Sequence, residues 1–187
     1  MQDKQKKSVK AASGYTGNVT VKKTKNGKVK GTYSNHNAGT PYFFEQLNKL
    51  LVGIDTSNNM PKYIDCGYAT NAEAARLNDF NSVLIRRVPI TSKTVRSWVD
   101  DSVEPAITRY TTVLSGLITY LDISGQSGIK RIALFPTTGT DNNNMLANVA
   151  LDFTGADDGE SGIKLDVGEA LLVEWSMSFD NVVEAAE

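Results

Sequence analysis

A chain of 187 residues, 40 % of them hydrophobic and 22 % charged, is long enough to bury a core without disulfides or a metal. No apolar run approaches the roughly 20 residues that span a bilayer, and no apolar stretch follows the basic start, so neither membrane contact nor a secretory signal is expected. Cys66 is the only cysteine; it excludes an intrachain disulfide and a cysteine zinc cluster, and reads as a small buried thiol.

The net charge of −1 hides an asymmetry between the two ends. The first 31 residues hold nine lysines, from Lys4 to Lys30, against the single acid Asp3. From Asp152 onward the chain is acidic, with Lys164 the one base. Such a distribution can pair the ends within one chain, or join neighbouring copies head to tail. Lys22, Lys23, Lys25 and Lys28 on the basic side, with Asp157, Asp158 and Glu160 on the acidic side, are the candidate assembly contacts. The bases before Arg76 are all lysines with few aromatics near them, so specific nucleic-acid readout is not expected.

Residues 1–16 are rich in Lys, Gln, Ser and Gly and read as a flexible basic arm. Residues 17–34 read as a β-hairpin: Val19 and Val21, then Asn26-Gly27, then Val29 and Tyr33. Asn-Gly suits a two-residue turn in which both residues take positive φ. Residues 40–53 read as a helix, with Thr40 as N-cap, Pro41 at the first position and Gly53 at the end. Phe43, Phe44, Leu47, Leu50 and Leu51 recur at helical spacing and form a stripe expected in the core. Tyr63, Ile64 and Cys66 make a short strand, and residues 71–77 a helical turn or two.

From residue 82 onward the pattern is β. Strands are expected at 83–88, at 95–99 around Trp98, at 107–114, at 117–121, at 129–135, at 145–153 and at 172–179. The last has the cleanest two-residue period: Val173, Trp175, Met177 and Phe179 on one face, Glu174, Ser176 and Ser178 on the other. Trp175 is therefore expected to be buried. Short strands separated by Gly, Pro, Asn and Asp clusters argue for a mainly β protein: an antiparallel β-sandwich with one N-terminal α-helix, residues 17–187 forming a single domain behind the arm.

The chemistry-bearing motifs are sparse. His36, the only histidine, sits in a turn-like Ser34-Asn35-His36-Asn37 context and reads as a structural or surface residue. Asp55-Thr56-Ser57 is followed by Asn58 where an aspartic protease has glycine, and has no second copy. The Gly-containing stretch 125–130 lacks the phosphate-loop spacing, and no Gly-x-Ser-x-Gly elbow occurs. Asp152, Asp157, Asp158 and Glu160 could offer oxygens to calcium, but they do not fit the EF-hand pattern and read as a solvated loop. No catalytic residue, cofactor or metal site is assigned.

The C-terminal third carries a resemblance. A strand ends in Leu134-Phe135, a loop leads to a strand opening Leu146-Ala147, and Gly168-Glu169 opens a last strand with Val173, Trp175 and Phe179 in alternation. Together with the capped helix after Asn35-His36-Asn37-Ala38-Gly39, this pattern resembles small β-sandwich virion structural proteins of tailed bacteriophages, of neck/collar, tail-ring or fibre-attachment type. The resemblance implies no enzymatic activity, a homo-oligomer located in the virion, and partners among other virion proteins such as portal, adaptor, tail or fibre proteins. Alternatives are a fibre-attachment or capsid decoration protein, and a carbohydrate-binding module using Trp98, Tyr110, Tyr120 and Trp175.

Overall fold

A computed structural model describes residues 11–68, 80, 82, 84–102, 104, 106–123, 128–139, 142–153 and 161–183. The chain is mainly β, with two antiparallel sheets and one α-helix. Strand β1 (Ala11–Lys25) and β2 (Lys28–Gly39) form the hairpin. Asn26 and Gly27 take φ of 51° and 73°, the positive values that the two-residue turn requires. The register slips by one residue between Lys23 and Thr24, a bulge that adds twist near the turn.

Helix α1 (Pro41–Leu51) follows, capped by Thr40, whose Oγ1 accepts from Phe43 N at 3.2 Å and donates to the Met145 carbonyl at 2.6 Å. The same hydroxyl thus ends β2, starts the helix and ties both to the segment around Met145. The remaining strands are β3 (Tyr63–Gly67), β4 (Val88–Pro89), β5 (Ser92–Asp100), β6 (Ile107–Thr119), β7 (Arg131–Phe135), β8 (Ala147–Ala150) and β9 (Glu169–Val183).

One sheet has the order β2-β1-β9-β6-β5 and is built of long strands. The other runs β4-β3-β7-β8 and continues onto the end of β2 through Ala38 and Gly39. One core serves both sheets. Val19, Val21, Leu114, Ile118, Leu171, Val173 and Trp175 from the first meet Ile64, Cys66, Ile132, Leu134 and Val149 from the second. Gly116 of β6 faces Ile64 of β3 across the core: a Cβ at Gly116 would lie 2.7 Å from Ile64 Cδ1. A side chain there would have to displace the Ile64 side chain and would crowd the Pro89 carbonyl, 3.3 Å away.

The alternation read in β9 holds from Leu171 to Ser178; the Phe179 side chain lies outside those described. Leu171, Val173, Trp175 and Met177 are buried, and Leu172, Glu174, Ser176 and Ser178 are half-buried between them. Trp175 is fully buried, and its indole N–H has a partner. Asn37 on β2 accepts from Trp175 Nε1 and from Tyr15 Oη at 3.0 Å, while its amide nitrogen donates to the Gly17 carbonyl at 2.9 Å. Gly17 lies opposite Asn37 in the β1–β2 register, and a Cβ there would collide with the amide. Glycine is needed at this position to admit the side chain that satisfies the buried indole.

Several expectations are corrected. Residues 11–16 of the expected arm belong to β1, because β9 runs on to Val183 and offers them backbone partners. Residues 1–10 lie outside the described residues, as do residues 71–77 and the acidic residues Asp157, Asp158 and Glu160. His36 is exposed, the surface one of its two readings, but it lies in β2 and not in a turn. The strands expected at 107–114 and 117–121 merge into one continuous β6 that stops at Thr119, since Gly116 interrupts the side chains but not the backbone pairing with β9; Tyr120 and Leu121 belong to a 3-10 turn instead. Of the strand expected at 83–88 only Val88–Pro89 is paired as a strand, with Leu84 making an isolated bridge to Ile123. The strand at 145–153 shortens to Ala147–Ala150. The helical stripe is only partly core: Phe43 is buried and Leu47 packs against the core, but Phe44 and Leu50 are exposed and Leu51 is 83 % exposed. One edge of the helix touches the sheets, too narrow a contact to cover the whole stripe.

Candidate functional site

The short-stranded sheet is buried on both faces. Every residue of β7 is buried, and so are Ile64, Asp65, Cys66 and Gly67 of β3. Ile64, Cys66, Ile132 and Leu134 enter the shared core. On the other face, Ala133 and Phe135 pack with Phe80 and Met145 in a second cluster. Asp65 projects on that outer side, opposite Ala133 in the register.

Asp65 is the hub of a buried polar cluster. Its Oδ2 accepts from Arg87 Nε at 3.2 Å, and both side chains are almost fully buried. Its Oδ1 accepts from Ser82 Oγ at 2.6 Å and from its neighbour Cys66 N at 2.8 Å. Arg87 also donates to the Thr137 carbonyl at 3.2 Å and to Asn142 Oδ1 at 3.3 Å, and its guanidinium carbon lies 3.3 Å from the Phe135 ring centroid. Asn142 in turn donates to the Phe80 carbonyl at 3.1 Å. A planar fork with five donors suits such a junction, where one side chain must meet a carboxylate, a carbonyl, an amide and an aromatic face. Burial pushes the Asp65 carboxyl up, opposed by the Ser82 hydroxyl and Arg87; it also pushes the Cys66 thiol well up, aided by the Asp65 and Asp122 charges. A thiol so disposed is inert as a nucleophile.

Beside this cluster lies an open cleft of about 290 Å³, bounded by Asp65, Ser82, Arg86, Arg87, Gly139 and Asn142 among others. Of its polar groups, Asp65, Ser82, Arg87 and Asn142 are engaged with one another. The geometry is that of a staple: it fastens the segment before β4 and the loop after β7 onto the sheet. Among the described residues, no three His, Cys, Asp or Glu side chains come together as a metal site.

The candidate assembly contacts fall into two groups. Three of the four lysines are engaged inside the chain. Lys22 Nζ lies 2.8 Å from Glu174 Oε2, while Lys23 and Lys25 lie 3.4 and 3.8 Å from the Glu169 carboxylate. Pairing of β1 with β9 brings the basic and acidic ends of the chain together. Glu169 also accepts from Asp166 N at 3.0 Å, and that N–H, with Lys23 and Lys25, holds its carboxyl below the usual range. Lys28 is exposed at the hairpin turn. The acidic partners Asp157, Asp158 and Glu160 lie outside the described residues.

Two exposed apolar areas were not legible as such in the sequence. The first is the end of α1 and the turn after it: Leu50, Leu51, Val52 and Ile54 are each half or more exposed. The second is the β5–β6 ribbon. All nine residues of β5 are exposed or half-exposed, and Val95, Val99 and Tyr110 are each more than 60 % exposed. Tyr110 faces the same side as Leu114 of the core, but beyond the reach of the second sheet. Trp98 is 46 % exposed on the opposite side of the ribbon, beside Arg109. Arg109 is held by Asp100 Oδ2 at 2.5 Å, which fastens the two strands near their connection.

Comparison with protein-family models, with curated proteins and with solved structures found no match to this chain.

Proposed function

We propose that the chain is a non-enzymatic structural component of a tailed-bacteriophage virion, an oligomeric ring- or collar-type protein of the neck or tail. In this reading the two antiparallel sheets are the layers of a β-sandwich that serves as a rigid block. Its work is the contacts it makes with copies of itself and with neighbouring layers. The observation that carries the reading is the separation of a complete shared core from two apolar surfaces at different places, the α1 end and the β5–β6 ribbon. Contiguous exposed apolar surface of this kind marks contact sites. A protein with neighbours on more than one side needs more than one.

Lys28 at the hairpin turn remains available for a head-to-tail contact in the same reading, and Asp157, Asp158 and Glu160 are its proposed acidic counterparts. The other proposed contact lysines, Lys22, Lys23 and Lys25, would have to share their intrachain partners. Mass photometry followed by electron microscopy of the purified protein tests the proposal. Closed rings are the expected result; trimers would move the assignment to a fibre-attachment protein, and a protein that never assembles, alone or with virion components, would contradict it. A carbohydrate-binding reading is favoured by one observation, the half-exposed Trp98, because an exposed aromatic face can stack on a sugar. Tyr110 lies on the opposite side of the ribbon and Trp175 is buried, so Trp98 would act without them. Glycan-array binding lost in Trp98→Ala would establish it.

A further inference from the structure

We infer that β5 pairs with β5 of a second copy, antiparallel and centred on Ser97, so that the long-stranded sheet continues across a twofold axis. Among the described residues β5 ends the strand order, with β6 on one side and no strand on the other. An edge of nine residues is unusually long to leave open. Proteins commonly blunt such edges with shortness, proline or bulges. Here β5 has no proline and pairs with β6 in unbroken register from Ser92 to Asp100.

The sequence of β5 is complementary to itself in one register. A perpendicular twofold axis between antiparallel strands places one residue opposite its own copy, and the rest pair symmetrically about it. Centred on Ser97, Val95 faces Val99 of the other copy, Arg96 faces Trp98, Thr94 faces Asp100, and Lys93, whose ammonium also donates to the Pro61 carbonyl of its own chain at 2.8 Å, faces Asp101 just past the end of β5. An apolar pair, a cation over an indole and an ion pair therefore occur together, each twice by symmetry. The small Ser97 side chains meet at the axis. Neighbouring centres are worse. Centring on Arg96 sets two guanidinium groups against each other, and centring on Trp98 sets Val95 against Asp101. Centring on Val95 leaves Lys93 opposite Ser97 and removes both aspartates from the pairing. The two charged residues that guard this edge against indiscriminate pairing, Lys93 and Arg96, thus select the register of one specific pairing.

The exposure of the ribbon fits the same arrangement. Val95 and Val99 are 69 % and 64 % exposed in the single chain, although each belongs to a regular strand. In the pair they sit side by side with their counterparts, flanked by Tyr110 of each copy, which stands next to Ser97 in the β5–β6 register. Trp98, already beside Arg109 on its own β6, gains Arg96 of the second copy on its open side. The tip of each ribbon lies along the base of the other. Such a contact requires no virion, so it stands or fails apart from the proposed assembly role.

Disulfide trapping tests it. In the inferred register the two Ser97 Cα atoms lie about 4.5–5.5 Å apart, within disulfide range. The two Thr94 Cα atoms are offset by six residues, about 20 Å. Cys66 is buried and does not interfere. Under mild oxidation Ser97→Cys is expected to give a covalent dimer as the main product, and Thr94→Cys to remain monomeric. In sedimentation across a concentration series, Lys93→Glu is expected to weaken self-association, and Lys93→Glu with Asp101→Lys to restore it. Thermal unfolding of each variant confirms that the subunit still folds. A wild-type protein that stays monomeric throughout the series would overturn the inference. So would equal crosslinking at Ser97 and Thr94, or a double variant no better than the single one. Any of these would leave the edge to a strand from a different protein.

Discussion

The two sheets of this protein share one core but are finished differently. The short-stranded sheet is covered on both faces: by the shared core on one, and by Phe80, Met145 and the Asp65–Arg87 cluster on the other. The long-stranded sheet is covered at its centre, around Trp175, and then runs past the core into a ribbon exposed on both sides. Burial on two faces leaves a strand little freedom to do anything but hold. A strand that continues beyond its core is stabilised there only by its ladder and by a few links such as Arg109–Asp100, and its side chains stay open to a partner. In the proposed reading, stability and contact fall to different parts of one fold.

The comparison is most easily broken at its buried end. Asp65→Asn leaves the Arg87 guanidinium buried beside a neutral amide, and is expected to cost about 3–5 kcal/mol in urea or guanidinium unfolding. A cost below about 1 kcal/mol would mean that the staple does not fasten the sheet. Trp175→Ala removes the largest fully buried side chain and is expected to cost a similar ~3–5 kcal/mol. Trp98→Ala on the ribbon is the counterpart at the other extreme, expected to change stability by less than about 1 kcal/mol while weakening self-association. Two tryptophans on one sheet would then separate folding from contact.

Gly17→Ala sits between these cases. The added methyl must displace the Asn37 amide, and a cost of about 1–3 kcal/mol is expected. Because Asn37 accepts from the Trp175 indole, the variant should also shift Trp175 fluorescence; an unchanged emission maximum would place the strain elsewhere.

The smallest effect concerns pH. The Glu169 carboxyl is held below its usual range by the Asp166 N–H and by Lys23 and Lys25. A lowered folded-state pKa contributes stability above the unfolded value, and that contribution disappears as pH falls through the folded one. Glu169→Gln is therefore expected to flatten part of the acid limb of the stability profile and to leave its slope at neutral pH unchanged. A change confined to neutral or alkaline pH would show that this carboxylate is not anchored by the lysines of β1.

Local features were the legible ones. Asn26-Gly27 marked the hairpin turn because few other residues tolerate the φ values there. Thr40-Pro41 marked the start of α1 because cap and first-turn chemistry are written in adjacent residues. The period of β9 was clear because only one of its faces meets the core. The β3 and β7 strands were recognisable as apolar runs, but burial on both faces erases alternation, so the sequence could not say which side carried the polar cluster. Asp65 and Arg87 are 22 residues apart with no motif between them; only the fold joins them. The reverse happened at α1 and the β5–β6 ribbon. Their apolar residues had the right spacing for burial, yet no second layer reaches them, and pattern alone cannot tell a core face from an open one. The charge asymmetry was visible, but its use within the chain, through Lys22 with Glu174 and Lys23 with Glu169, depended on β1 lying beside β9.

The most direct test of the division between a holding sheet and a contacting edge is amide hydrogen exchange followed as a function of protein concentration. Exchange in β3 and β7 is expected to be slow and independent of concentration. Exchange in β5 is expected to be fast when dilute and to become slow as the concentration rises, with the change centred on Ser97. Exchange in β5 that is equally fast at every concentration would contradict the account, and so would β5 protected as strongly as β7 in the dilute single chain.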